Sequence, residues 1–125
     1  MTKAFLIRCF LALVLVALLA PSASRDGLAA GEFVTGFDEL PLMRGMTEIP
    51  DTDVSFDTTT GRIVIAFART SEDPVAIREF YHTTLSQLGW REQTNTAYTR
   101  EDEVLSFDYL TDGLDTIVRF SLLPQ

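Results

Sequence analysis

The chain has 125 residues, of which 46% are hydrophobic and 22% are charged, and its formal charge at pH 7 is −8. A chain this acidic repels nucleic acid and anionic membrane surfaces, so neither is an expected partner. One cysteine and one histidine exclude any metal site built from several thiolates or imidazoles.

Residues 1–24 are typical of a secretory signal peptide. Lys3 and Arg8 give a positive start, residues 9–20 form an apolar run, and residues 21–24 supply the small residues of a cleavage site. We expect cleavage after Ser24, with Ser22 and Ala30 as alternatives. Twelve apolar residues are too few for a membrane-spanning helix, which needs about 20. An uncleaved anchor is therefore the less favoured reading, and we expect a periplasmic protein without a stable membrane span.

Cleavage would remove the only lysine, Lys3, and the only cysteine, Cys9. The remaining eight arginines against 18 acidic residues give a formal charge of −10. Without Cys or Lys, the mature chain has no disulfide, no thiol nucleophile and no amine for a Schiff base. About 100 residues are enough for one domain with a single core.

The region before the first strand is predicted in two parts. Residues 25–37 mix Gly, Ala and charges without a period, which indicates a flexible arm whose end Phe33 and Phe37 can attach to the domain. Residues 38–50 contain two prolines and Gly45, so we predict an extended segment there. It places four apolar side chains against the core: Leu40, Leu42, Met46 and Ile49. A single domain is expected over residues 38–125.

A β-hairpin follows, with strands at 54–56 and 62–69 and a turn at 57–61. The second strand is apolar on both sides, which favours a central position in a sheet.

Residues 73–90 predict one helix with both ends marked. Asp73 is a suitable N-cap, Pro74 suits the first helical position, and Gly89 suits the left-handed residue after the end. The apolar side has helical spacing and consists of Ile77, Phe80, Tyr81, Thr84, Leu85 and Leu88.

The remaining chain predicts four antiparallel strands. They begin at Trp90, Ala97, Val104 and Thr116, and Asp112–Gly113 marks the last hairpin turn. Inward residues of the last two strands are Leu105, Phe107, Tyr109, Val118, Phe120 and Leu122. The predicted fold class is α+β, an antiparallel sheet in the order β-β-α-β-β-β-β with one amphipathic helix packed on one face.

Several of these residues also carry a resemblance to a known family. These residues are Phe80–Tyr81, Leu85, the Leu-Gly-Trp sequence at 88–90 and residues 40–46. At these positions the chain resembles a family of small exported proteobacterial proteins of uncharacterised activity. The similarity spans roughly residues 38–123. The resemblance implies an α+β fold and export; it implies no activity, and no catalytic or binding residue is carried over from it.

Three groups of residues are candidates for chemistry, and each has a structural alternative that we favour. His82 lies on the polar side of the helix without a partner at i±4, so a solvated histidine is favoured over a catalytic or metal-binding one. The spacing of oxygen-bearing side chains resembles a calcium loop at Asp51, Asp53, Ser55 and Asp57. However, Phe56 and Arg62 occupy the positions at which such a loop requires glycine and glutamate. The last group consists of six acidic residues: Glu101, Asp102, Glu103, Asp108, Asp112 and Asp115. It suits a paired-carboxylate hydrolase only if a cleft holds two of these side chains close together.

The helix N-terminus is a poor anion site, because Glu72 and Asp73 occupy it and Pro74 removes a donor. We therefore predict no catalytic, cofactor or metal residues. The first functional hypothesis is a non-enzymatic periplasmic domain that binds another envelope protein or a peptide through its sheet face or residues 38–50. The alternatives are a carrier of a small apolar ligand between helix and sheet, and a hydrolase that uses carboxylates or His82.

Overall fold

A computed structural model describes residues 32–125. The predicted signal peptide and residues 25–31 of the predicted arm lie outside the described residues. The elements are β1 (Thr47–Glu48), β2 (Val54–Thr58), β3 (Gly61–Thr70), α1 (Pro74–Gln87), β4 (Arg91–Thr94), β5 (Ala97–Arg100), β6 (Glu103–Asp112) and β7 (Asp115–Pro124). The predicted α+β class is confirmed. None of the helices within residues 32–125 has the length and apolar character required to cross a membrane.

All seven strands belong to one antiparallel sheet. From β3 the order runs through β7, β6 and β5 to β4, while β1 and β2 share the other side of β3. β3 is thus internal, as its two apolar sides predict. The sequence did not predict β1, which is short because prolines and Gly45 flank it and only two residues align with β3.

Helix α1 has the predicted termini. The Asp73 carboxylate accepts a hydrogen bond from the Ala76 amide at 2.9 Å, and Pro74 occupies the first turn. Gly89 adopts a φ of 86°, a left-handed conformation that costs a glycine little and ends the helix. The helix buries Ile77, Tyr81 and Leu85, spaced four residues apart along one face.

The core lies between this helix face and one side of the sheet. Tyr81 packs against Phe107 and Phe120 with ring centroids 5.0 and 5.6 Å apart, and Phe107 lies 5.5 Å from Phe120. Trp90 is also buried, under the guanidinium of Arg100 at 4.6 Å from the ring centroid. Burial of each large side chain contributes about 1.5–3 kcal/mol.

Residues 32–46, which we call the N-terminal strap, close the end of this core. Val34, Phe37, Leu40 and Met46 are buried, whereas Phe33 is mainly exposed. Phe33 was expected to attach the arm together with Phe37, but a turn in which the Phe37 amide donates to the Val34 carbonyl brings Val34 inward instead. The extended course predicted for residues 38–50 is interrupted by a bend at residues 38–39 and by turns at residues 44–45 and 50–51, and Phe33 pairs with Pro41 in an antiparallel bridge.

Candidate functional site

The sheet has two faces, and helix α1 covers only one of them. Side chains at directly opposed positions of neighbouring strands share a face. Val64, Ala66 and Ala68 of β3 are buried on the helix side, so their neighbours Ile63, Ile65 and Phe67 point to the other side. We call this second side the open face.

One half of the open face is apolar. Val54 and Phe56 of β2 stand opposite Ile65 and Ile63, and Leu123 of β7 stands opposite Val104 of β6. Because Val64 pairs with Leu122, Ile63 lies beside Leu123 and joins the two groups. The apolar patch thus consists of Val54, Phe56, Ile63, Ile65, Val104 and Leu123.

β2 forms the outer part of this patch, and all five of its residues are exposed. Val54, Phe56 and Leu123 keep 46%, 50% and 41% of their surface accessible, whereas the isoleucines between them are half-buried. Exposed apolar residues that occur singly are ordinary, but a contiguous set is typical of a contact surface.

The other half of the open face carries charged side chains that pair with one another, beside the apolar Phe67, Leu110 and Ile117. Arg119 contacts Asp108 at 2.6 Å, and Arg69 contacts Asp112 at 2.8 Å and Asp115 at 3.4 Å. These two carboxylates raise the pKa of Arg69 above its usual value, first through hydrogen bonds and then through their charge. Three of the acids considered for a hydrolase, Asp108, Asp112 and Asp115, are therefore held in surface ion pairs, which solvent screens.

Other candidate carboxylates are dispersed. Glu103 lies 3.4 Å from Arg62, which also contacts Asp38 at 3.1 Å. Asp53 immediately precedes β2, and Asp57 lies within it. Within residues 32–125, no group of three or more His, Cys, Asp or Glu side chains is arranged to hold a metal ion.

The structure gives His82 a partner that the sequence analysis missed. Glu92 of β4 places a carboxylate oxygen 3.3 Å from His82 Nδ1. Both residues line an open depression of about 290 Å³ together with Arg78, Glu79, Asn95 and Tyr98. The pKa of the Tyr98 phenol is raised by burial and by the charge of Glu92. A carboxylate can orient an imidazole for proton transfer, but the lining contains no serine, threonine or cysteine that the imidazole could activate.

The space between helix and sheet is nearly filled. A cavity beside Trp90 and Leu88 measures about 20 Å³, which is room for about one water molecule. Its polar lining includes Arg100, which donates to the Leu88 carbonyl at 2.9 Å and pairs with Glu39 at 2.8 Å. At the other end of the helix, the cap contact of Asp73 uses the Ala76 amide, so this donor is already occupied.

Comparison with known protein families, with curated proteins and with solved structures gives no match to this chain. The resemblance to a family of exported proteobacterial proteins therefore stays a prediction.

Proposed function

We propose that this chain is an exported, non-enzymatic interaction domain that binds a protein or peptide partner through the apolar half of its open face. The proposal for export and for a periplasmic location rests on the sequence of residues 1–24. The proposal for binding rests on the apolar patch.

The exposure of Phe56 and Leu123 is the observation that carries the binding proposal. Their side chains flank Ile63 on three adjacent strands, so a partner can cover all three in one contact. Covering apolar surface contributes about 25 cal/mol for each Å² removed from water. Two ion pairs of Arg69 and one of Arg119 border the patch along β3 and β7, and an apolar centre beside a charged rim is the usual composition of a protein interface.

Co-purification with matched variants tests this proposal. Leu123→Ser removes an apolar side chain from the patch, and Leu114→Ser makes the same change at the 99% exposed tip of the β6–β7 turn. Leu114 immediately precedes β7, and nine residues of nearly extended chain place it about 30 Å from Leu123. The exported protein and both variants are purified gently from their own cells and weighed by native mass spectrometry.

We expect a second polypeptide to accompany the wild type and Leu114→Ser and to be lost from Leu123→Ser. Circular dichroism establishes that both variants fold. Retention of the same polypeptide by Leu123→Ser, or a bare wild-type mass, contradicts the proposal.

The carrier hypothesis gains no support from the cavity between helix and sheet. Ligand sites for small molecules have volumes of about 300–1,000 Å³, which the space of about 20 Å³ beside Trp90 does not approach. A retained apolar small molecule in the same mass spectrum would nevertheless favour a carrier.

A second candidate function is acid–base catalysis by His82 and Glu92, which the 3.3 Å contact at the mouth of the depression favours. His82→Ala and Glu92→Gln separate it from the interaction domain. An interaction domain keeps its partner in both variants, whereas an enzyme of this type loses its catalysed rate in both. We place this candidate second because both side chains are open to solvent.

A further inference from the structure

The two edges of the sheet differ in how they are protected. β4 has four residues, all polar, and its pairing with β5 is interrupted by a register shift between Glu92 and Thr94. Short polar strands and bulges are the usual means by which proteins keep an edge from pairing. The edge at β4 is therefore poorly suited to accept another strand.

The edge at β2 has no register shift and carries two exposed apolar side chains, Val54 and Phe56. Its five residues pair with β3 in continuous register, and all five are exposed. In an antiparallel pair, every second residue directs its N–H and C=O groups away from the partner strand. Within residues 32–125, no backbone group from another element bonds to these outward groups of β2. This edge can therefore add one more strand.

The side chains of β2 specify what that strand would contain. Val54 and Phe56 extend the apolar patch to the edge of the open face, whereas Asp53 and Asp57 alternate with them and point to the opposite side. Neither aspartate, nor the nearby Asp51, forms an ion pair with a described residue. Along this open edge, Val54 and Phe56 thus lie on one face, and on the other face the carboxylates of Asp53 and Asp57 lie on either side of the neutral Ser55.

A second copy of this chain does not fit the edge well. Antiparallel pairing of β2 with itself would bring Asp53 and Asp57 of one copy close to the same residues of the other. Like charges on directly opposed strands destabilise the pair. The same charges attract a strand in which apolar residues alternate with lysine or arginine.

We infer that β2 accepts an extended polypeptide segment of alternating apolar and basic residues as an eighth strand of the sheet. The apolar side chains of this segment lie beside Val54 and Phe56 and enlarge the patch, and its basic side chains lie beside Asp53 and Asp57. The backbone of the segment bonds to the outward groups of β2, as in other cases of strand addition. This inference rests on the proposed function and names the partner that the open face would bind.

Binding of a defined peptide to the exported protein tests the inference. The probe is an eight-residue peptide of alternating valine and lysine, and its affinity is measured by calorimetry at two salt concentrations. Three comparisons isolate the interactions: a peptide with glutamate in place of lysine, a peptide N-methylated at every second residue, and the protein variant with Asp53→Asn and Asp57→Asn. Backbone amide exchange, followed by NMR, locates the site.

We expect the valine–lysine peptide to slow exchange at every second amide of β2 and to bind more weakly at high salt. The double variant should bind about fivefold more weakly, as expected for the loss of two exposed charge contacts. The glutamate peptide and the N-methylated peptide should not bind measurably, because one reverses the charges and the other removes the backbone donors.

Equal binding of the N-methylated peptide, or protection elsewhere than in β2, overturns strand addition. If no peptide binds while Leu123→Ser still loses a co-purified polypeptide, the inference fails and the proposed function stands. If the peptide binds to β2 but no polypeptide co-purifies with the wild type, strand addition stands and the proposed function fails.

Discussion

The Tyr81 side chain connects the helix to the N-terminal strap through its hydroxyl group. The hydroxyl donates to the Pro41 carbonyl at 2.9 Å and accepts from the Met43 amide at 3.4 Å. Replacing Tyr81 by Phe keeps the ring against Phe107 but leaves the partly buried Pro41 carbonyl without this donor. We expect Tyr81→Phe to lower the free energy of unfolding by about 1–2 kcal/mol, as measured by denaturant titration.

Tyr109→Phe is the matched control for this prediction. Tyr109 is half-buried, and its hydroxyl makes no hydrogen bond to a side chain or backbone group within residues 32–125. The control variant should change the free energy of unfolding by less than about 0.5 kcal/mol. Equal losses in both variants would mean that the strap contacts of Tyr81 contribute nothing specific.

The same two tyrosines predict a dependence on alkaline pH. Burial raises the pKa of Tyr109 to about 12, and burial raises the pKa of Tyr81 still further above the ordinary value of 10.0. Above pH 10 the unfolded chain releases these protons while the folded chain retains them. The unfolding free energy should therefore be constant near pH 9 and fall as the pH rises from about 10 to 12.

The double variant Tyr81→Phe, Tyr109→Phe should show a flatter decline over this pH range. Unfolding is followed by circular dichroism at each pH. Lysine also titrates in this range, but the only lysine, Lys3, lies within the predicted signal peptide. A decline as steep as that of the wild type would assign the alkaline effect to other groups.

At the scale of single elements, helix α1 depends on a cap that the sequence specifies locally. The Asp73 carboxylate satisfies the Ala76 amide, which has no partner within the helix. Asp73→Ala should lower the free energy of unfolding by about 1 kcal/mol, and Asp73→Ser should restore most of it because serine also caps. If the two variants unfold at the same denaturant concentration, the cap contact does not stabilise the domain.

The sequence predicted α1 and the long strands because their signals lie within the elements themselves. Asp73, Pro74 and Gly89 mark the helix ends, and strict alternation marks β6 and β7. The turn between β2 and β3 was predicted too long, at five residues. The structure has a two-residue turn, in which the Thr58 hydroxyl donates to the Gly61 carbonyl at 2.6 Å and so extends both strands.

Features that depend on tertiary pairing were not predictable in this way. β1 exists only because Thr47 pairs with Arg69 and Glu48 pairs with Ala68, which are 22 and 20 residues away along the chain. The His82–Glu92 contact joins α1 to β4, so no search for partners at i±4 could find it.

At the scale of the whole molecule, the open face arises because residues 32–125 contain one helix and a seven-stranded sheet, and one helix covers only one face of that sheet. The alternation in β3 predicted two apolar sides, and this was the available signal for a second contact surface. It did not tell which side the helix would cover, or that Val54 and Phe56 would remain exposed. That distinction depends on how the described chain packs in three dimensions.

Site-specific photocrosslinking in living cells tests the open face most directly. Phe56 lies in the apolar patch and Phe33 lies on the strap, and their exposed fractions are 50% and 51%. Each is replaced in turn by benzoylphenylalanine, so the two probes differ in position and hardly in accessibility. We expect one discrete crosslinked polypeptide from position 56 and none from position 33. No crosslink from position 56, or the same crosslinked polypeptides from both positions, would contradict the role of this face in binding a partner.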